Sequence, residues 1–324
     1  MATTIDEYHE TLFARQWRYA EAMRFNGSLD PVHVAAAGPP VFRRRAATAN
    51  ILLRPDDDQP TRARVVAQVT PRRRAFRSMV SSQALTQSVF GNLVARGRIG
   101  CLAALADDAG RPLFFADAAE VDELLLEHRV PRLLGETGPA GIDLWITGAR
   151  RVVVDCTLAE AGLGVCPCPQ LDSDDADFCN GSFSPDSGRG RGCALAEYGD
   201  PSCWDFLPEL LGWRRNEGTV CPLASTVQLV RGILAACVSD GRLDCSRGHA
   251  VLIVDARNPA FGWSRWRPTG AGSRAFAAVR DALGQRGDLL RLGTWQQIAG
   301  ALATDGQLGW LVDGLRRKYG IAPS

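Results

Sequence analysis

The run Arg151-Val-Val-Val-Asp-Cys-Thr157 constrains this chain more than any other stretch. Consecutive β-branched residues fit a pleated, half-buried surface and lose χ1 freedom in a helix, so the run predicts a strand. Gly141 to Ile146 is a second short apolar segment, interrupted by Asp143, and Thr147-Gly148-Ala149-Arg150 between them is turn chemistry. The three pieces read as a β-hairpin. Side chains alternate along a strand, which puts Val152, Val154 and Cys156 on one face and Val153, Asp155 and Thr157 on the other. An acid inside a buried strand is costly unless it is paired, hydrogen-bonded or metal-bound. Asp143 and Asp155 lie on adjacent strands and can converge, which would seat a hard divalent cation such as Mg²⁺. The plainer alternative is that each acid caps, faces water, or pairs with Arg150 or Arg151.

Around the hairpin, apolar periodicity predicts helices over Thr4–Phe25, Ser81–Ala95, Ala118–His128, Cys203–Trp213, Thr226–Val238, Ala271–Leu283, Thr294–Ala303 and Leu308–Tyr319. Ser81 or Ser82 is the N-cap of the second, and Thr294 caps the seventh. Leu113–Phe115 and Leu289–Leu292 read as strands, and Ile99–Leu105 as a short helix or strand. His249–Asp255 is a continuous apolar run of the kind that crosses the middle of a sheet. Strands alternating with helices give an α/β fold with a mixed sheet. The N-terminal piece is either a separate helical arm or a layer on the core.

No run of about eighteen apolar residues is present, which argues against a membrane helix. The N-terminus carries Asp6, Glu7 and Glu10 and does not read as a signal peptide, so a cytoplasmic location is expected. The ten cysteines are then unlike a disulfide framework. A net charge of +1 says nothing of nucleic acid, but Arg43-Arg44-Arg45 and Arg72-Arg73-Arg74 with Arg77 form two clusters able to neutralise phosphates or simply to face solvent. The serine-hydrolase and phosphate-loop signatures G-x-S-x-G and G-x-x-x-x-G-K are absent, which sets those classes aside. Thiolates of Cys166, Cys179, Cys193 and Cys203, in an irregular stretch, are a candidate Zn²⁺ or iron–sulfur set; their spacing fits no compact zinc pattern, and buried free thiols explain them equally.

Asp143, a turn, then Asp155-Cys156-Thr157 with Ala159-Glu160-Ala161 resembles the PD-(D/E)xK nuclease core. More specifically, the chain is similar to a family of uncharacterised bacterial restriction-endonuclease-like proteins. The likeness extends from about Phe76 to the end, through Ser81–Leu85 with Phe90-Gly91-Asn92, Gln228-Leu-Val-Arg231, Asp255–Phe261, Thr294–Gln297 and Lys318–Ile321. Each motif is weakly specific alone; their number and order carry the resemblance.

The resemblance implies a restriction-endonuclease-like α/β domain over 76–324, a helical and basic extension over 1–75, and a cysteine-rich insertion at about 164–222. It implies Mg²⁺ or Mn²⁺ on Asp143 and Asp155, with Glu160 or Glu136 adding a ligand or orienting water. Gln83 and Asn92 would lie beside the metal, and Gln83, Arg151 and Arg231 would meet nucleic acid, DNA in the first place, in a homodimer or with a defence-system partner. Cysteine-bound clusters occur among such nucleases. The sequence departs from the family at Thr157, where the core lysine falls, and its one lysine is the distant Lys318. Arg151 is the nearest cationic stand-in on that strand face, but arginine is a poor proton shuttle. Three functions follow: a metal-dependent DNA phosphodiesterase, a nuclease-like binding or assembly module that has lost catalysis, or a protein built around a cysteine-bound metal.

Overall fold

A computed structural model of the chain describes residues 3–34, 38–67, 75–130, 140–166, 203–214, 220–264 and 267–324. The hairpin forms as read. Its strands belong to a five-stranded mixed sheet of β1 (Val121–Val130), β2 (Ala140–Gly148), β3 (Arg151–Cys156), β4 (Gly248–Val254) and β5 (Leu290–Thr294), in that spatial order. The first three strands form an antiparallel meander; β4 runs parallel to β3, and β5 parallel to β4. Gly148 closes the hairpin where the Glu120 carbonyl passes so near that a Cβ would lie 1.8 Å from its oxygen, so only glycine fits. Every residue of β4 is buried, as its unbroken apolar run predicts.

Strand alternation sorts the core into two layers. Trp145, Val153, Ala250, Leu252 and Leu290 face one side, where α4 (Cys203–Leu211), α5 (Val227–Cys237) and α6 (Ala271–Leu283) cover them. Leu144, Ile146, Val152, Val154 and Ile253 face the other. There they meet the N-terminal helix α1 (Ile5–Ala22), helix α3 and the C-terminal helices α7 (Trp295–Ala303) and α8 (Gly309–Tyr319). Helix α3 runs from Ser82–Thr86 through a π-helical turn at Gln87–Gly91 to Asn92–Ala95, with Ser81 as its N-cap. A shorter helix, α2 (Gln59–Ala67), precedes it. The sheet is thus flanked by helices on both faces. Helix α1 is a layer of the core: Tyr8 and Leu12 pack in the same cluster as α8.

Two expectations are overturned. Residues 118–128 are not a helix: a 3-10 turn at Ala118–Glu120 leads into edge strand β1. Glu and Leu favour helices in isolation, but Leu124 and Leu126 bury on one face at a period of two, and pairing to β2 outweighs a propensity difference of a few tenths of a kcal/mol per residue. Leu113–Phe115 is not a strand; its side chains fill the core from a loop held by an Ala106–Pro112 bridge and by the Leu113 N–H donating to the Leu105 carbonyl at 2.7 Å. Ile99–Ala104 is a 3-10 helix.

Candidate functional site

Three acids lie at one level across the meander. On β1 and β2, Leu126 pairs with Leu144 and His128 with Ile142, a register that brackets Glu127 and Asp143. The β2–β3 ladder ends at Leu144–Val154, and the next positions are Asp143 and Asp155. Glu127 has φ +51°, a left-handed conformation inside a strand. A non-glycine residue there stores backbone strain, and such strain gathers at functional sites.

Glu127, Asp143 and Glu160 line an open cavity of about 560 Å³, with Arg129 as its cation. The start of α3 forms the opposite wall through Ser81, Ser82 and Gln83. Asp143 Oδ2 accepts the Cys156 backbone N–H at 2.8 Å, which leaves its other oxygen for a ligand. Glu160 Oε2 accepts the Leu158 N–H at 2.5 Å. Asp155 lies behind this wall, beneath α5. The Gln228 amide hydrogen-bonds it, and the Arg231 charge acts on it. The helix comes close at Gly232, whose Cβ position is 3.6 Å from Asp155 Oδ2. Gln228 and Arg231 stand three apart on α5, a spacing that presents both on one side of the helix, and both act on Asp155.

Burial raises the pKa of Asp143, and the neighbouring charges of Asp155, Glu160 and Glu127 raise it further against the Cys156 N–H bond. Burial also raises Asp155, against Arg231 and Gln228. Two like charges in a poorly solvated place cannot both ionise cheaply, so the pair holds on to a proton. A divalent cation at this place would replace that proton as counter-charge. The residues fit one on this ground: adjacent carboxylates, an unsatisfied negative potential and an open wall. Among the described residues no three His, Cys, Asp or Glu side chains converge as a complete cage. A cation held by these two carboxylates would keep most of its waters, as Mg²⁺ does.

The remaining candidates scatter. Thr157 is buried, its hydroxyl 3.5 Å from the Ile253 carbonyl. Arg151 is clamped at the other end of β3: its Nη1 donates to the carbonyls of Ala235 and Val238 at 2.9 and 3.0 Å, and the guanidinium stacks on Trp145. It caps the end of α5 and does not stand in for a lysine at the acids. Lys318 is buried against Asn50, donating 2.7 Å to Oδ1, in a different part of the molecule. Asn92 is buried and bonds the carbonyls of Leu52 and Ser88, so it holds α3 and is not on the cavity wall. Cys166 is a buried core residue whose N–H donates to Ala224. Cys203 begins α4. Glu136, Cys179, Cys193 and Arg72-Arg73-Arg74 lie outside the described residues. Arg77 pairs with Asp30 at 3.4 Å.

Within the helix expected over 118–128, Glu127 is only a second choice to Glu136 for an extra carboxylate, and Arg129 beyond it has no role. Reading 118–128 as a strand would have put positions 127 and 129 on one face, the face that now lines the cavity. No family model, curated protein or solved structure matches the chain.

Proposed function

We propose that the protein is a metal-dependent phosphodiesterase acting on nucleic acid, DNA in the first place, with a divergent restriction-endonuclease-like site. One observation carries the reading: Asp143, on the wall of the open cavity, and Asp155, behind it, stand just past the end of the β2–β3 ladder, and the charge of Asp155 acts on Asp143.

In this site Asp143 and Asp155 hold the cation, which when bound lowers the pKa of water and offsets charge on a phosphoryl group. Glu160 and Glu127 line the approach, where a carboxylate accepts a proton from water. Arg129, exposed on the same wall, meets the phosphodiester backbone, and Ser81, Ser82 and Gln83 offer donors from across the cavity. With threonine at 157, positive charge near the phosphate comes from Arg129.

Cleavage of supercoiled, linear and single-stranded DNA with Mg²⁺ or Mn²⁺ tests the reading. Metal-dependent cleavage should fall in Asp155→Ala by more than the roughly 10–100-fold that loss of an outer-sphere partner costs. The second reading, a binding or assembly module without catalysis, is favoured by one fact: Thr157 is buried against a backbone carbonyl, away from the cavity wall. No cleavage by well-folded protein, with salt-sensitive DNA binding weakened by Arg129→Ala, would establish it.

A further inference from the structure

At the end of the sheet opposite the acids, a second cavity of about 180 Å³ opens between the β2–β3 turn and the loop at Pro112–Ala116. Its polar lining is cationic. Arg291, on β5, is 7% exposed, and its guanidinium is fixed by the carbonyls of Pro112 and Asp288. Arg150, in the hairpin turn, is exposed and has no hydrogen bond or ion pair among the described residues. Neither arginine has a carboxylate partner there. Glu120 is the one acid on the wall, and it is exposed.

His249 completes the lining, 2% exposed. Its Nε2 lies 3.0 Å from the Leu113 carbonyl. A carbonyl only accepts, so Nε2 carries the hydrogen, and in the neutral ring Nδ1 is an acceptor. That Nδ1 is buried with no partner. Burial, Arg291, Arg150 and Arg111 all hold the ring neutral, with its pKa lowered to about 4. The cavity therefore offers guanidinium donors and one lone-pair acceptor.

We propose that this cavity is a binding site for a protonated tetrahedral oxyanion, phosphate in its simplest form. Guanidinium forks match phosphate oxygens. At neutral pH phosphate keeps at least one O–H, which donates to Nδ1 of His249, while its other oxygens take the N–H groups of Arg150 and Arg291. Sulfate has the same shape and no proton, so it leaves the already buried lone pair unpaired and forgoes the hydrogen bond that phosphate gains. The site is separate from the acids of β2 and β3 and stands whether or not those acids are catalytic.

The test is calorimetric titration of the full chain at pH 7 with inorganic phosphate and, separately, with sulfate. Phosphate should bind at least about tenfold tighter than sulfate, since one unpaired buried acceptor costs on the order of 1–3 kcal/mol. Arg150→Ala, at an exposed residue with no hydrogen bond or ion pair to lose among the described residues, should fold normally and weaken phosphate by about tenfold or more, the worth of one charge-assisted hydrogen bond. Equal affinity for the two anions would overturn the acceptor match. Phosphate binding untouched by Arg150→Ala would place the anion elsewhere and overturn the site, as would the absence of phosphate binding by the native chain.

Discussion

Two groups of buried acids sit near the same end of the sheet and behave in opposite ways. Asp255 follows β4 and is fully buried. It accepts from Tyr8 Oη at 3.0 Å, from Arg257 Nε at 2.9 Å and from Gln296 Nε2 at 2.8 Å. Burial alone would raise its pKa, but the bonds and charge of Arg257 outweigh it and hold the carboxyl below its ordinary range. Asp143 and Asp155 are pushed the other way: burial raises both, and the charges of Asp155, Glu160 and Glu127 raise Asp143 further. A saturated carboxylate has nothing left to offer a ligand; it ties α1, the β4 end and α7 together. An under-satisfied pair keeps its chemistry for something that arrives. Both groups end strands, and only the accounting of their partners tells them apart.

The comparison breaks most visibly at Asp255. Asp255→Ala removes the acceptor shared by Tyr8, Arg257 and Gln296. It should cost about 3 kcal/mol, the low end for breaking a buried ion pair, because the Arg257 side chain is 38% exposed and can reach water. Denaturant titration reads it as a lower midpoint with unchanged slope. A loss below about 1 kcal/mol would mean that the knot is not a main tie.

Asp143→Asn should act in the reverse sense. The folded pKa of this acid is raised, so the stability it contributes is present below the unfolded value of about 4 and is lost as pH rises toward about 8. The amide oxygen still accepts from Cys156 N–H and carries no charge. The variant should gain on the order of 1 kcal/mol over the native chain at pH 8, and the difference should vanish near pH 4. Thermal melts across that range measure it. DNA cleavage should be lost in the same variant.

Metal binding follows from the same proton. The pair must release it to take a cation, so Mn²⁺ affinity should climb by up to about tenfold per pH unit between pH 6 and 8 and flatten above. Titration calorimetry in two buffers of different ionisation heat would count the protons released. A flat profile would show that the acids are already ionised and the coupling is absent.

The hairpin was legible because the eleven residues Thr147–Thr157 carried two local signals, a turn and then β-branching, and both agree with the fold. The central strand, α1, α5 and the last two helices were legible for the same reason. Thr4 with Glu7 and Thr294 with Gln297 form capping boxes readable from spacing alone. Edge strand β1 was not legible, because its Glu-rich sequence favours a helix until β2 is beside it. With β1 went half of the cavity wall, Glu127 and Arg129. The knot around Asp255 lies at the end of the apolar run of β4, and only its long-range partners Tyr8 and Gln296 show that it is structural. Partners 41 and 247 residues away leave no trace in local pattern.

The smallest effect sharpens the contrast most. Gly232 lies mid-helix on α5, where glycine costs roughly 0.5–1 kcal/mol relative to alanine. A Cβ there meets Ala250 Cβ at 3.4 Å and Asp155 Oδ2 at 3.6 Å, ordinary contacts that need no movement. Gly232→Ala should therefore stabilise the fold by about 0.5–1 kcal/mol. It should also press a methyl group against an acid that needs solvent or a cation, raising the Asp155 pKa further and weakening Mn²⁺ binding. If stability rises while metal affinity holds, Asp155 does not reach the ion, and the cation belongs to Asp143 with Glu127 or Glu160 on the open wall. If both move together, the glycine is the space that the metal pair requires.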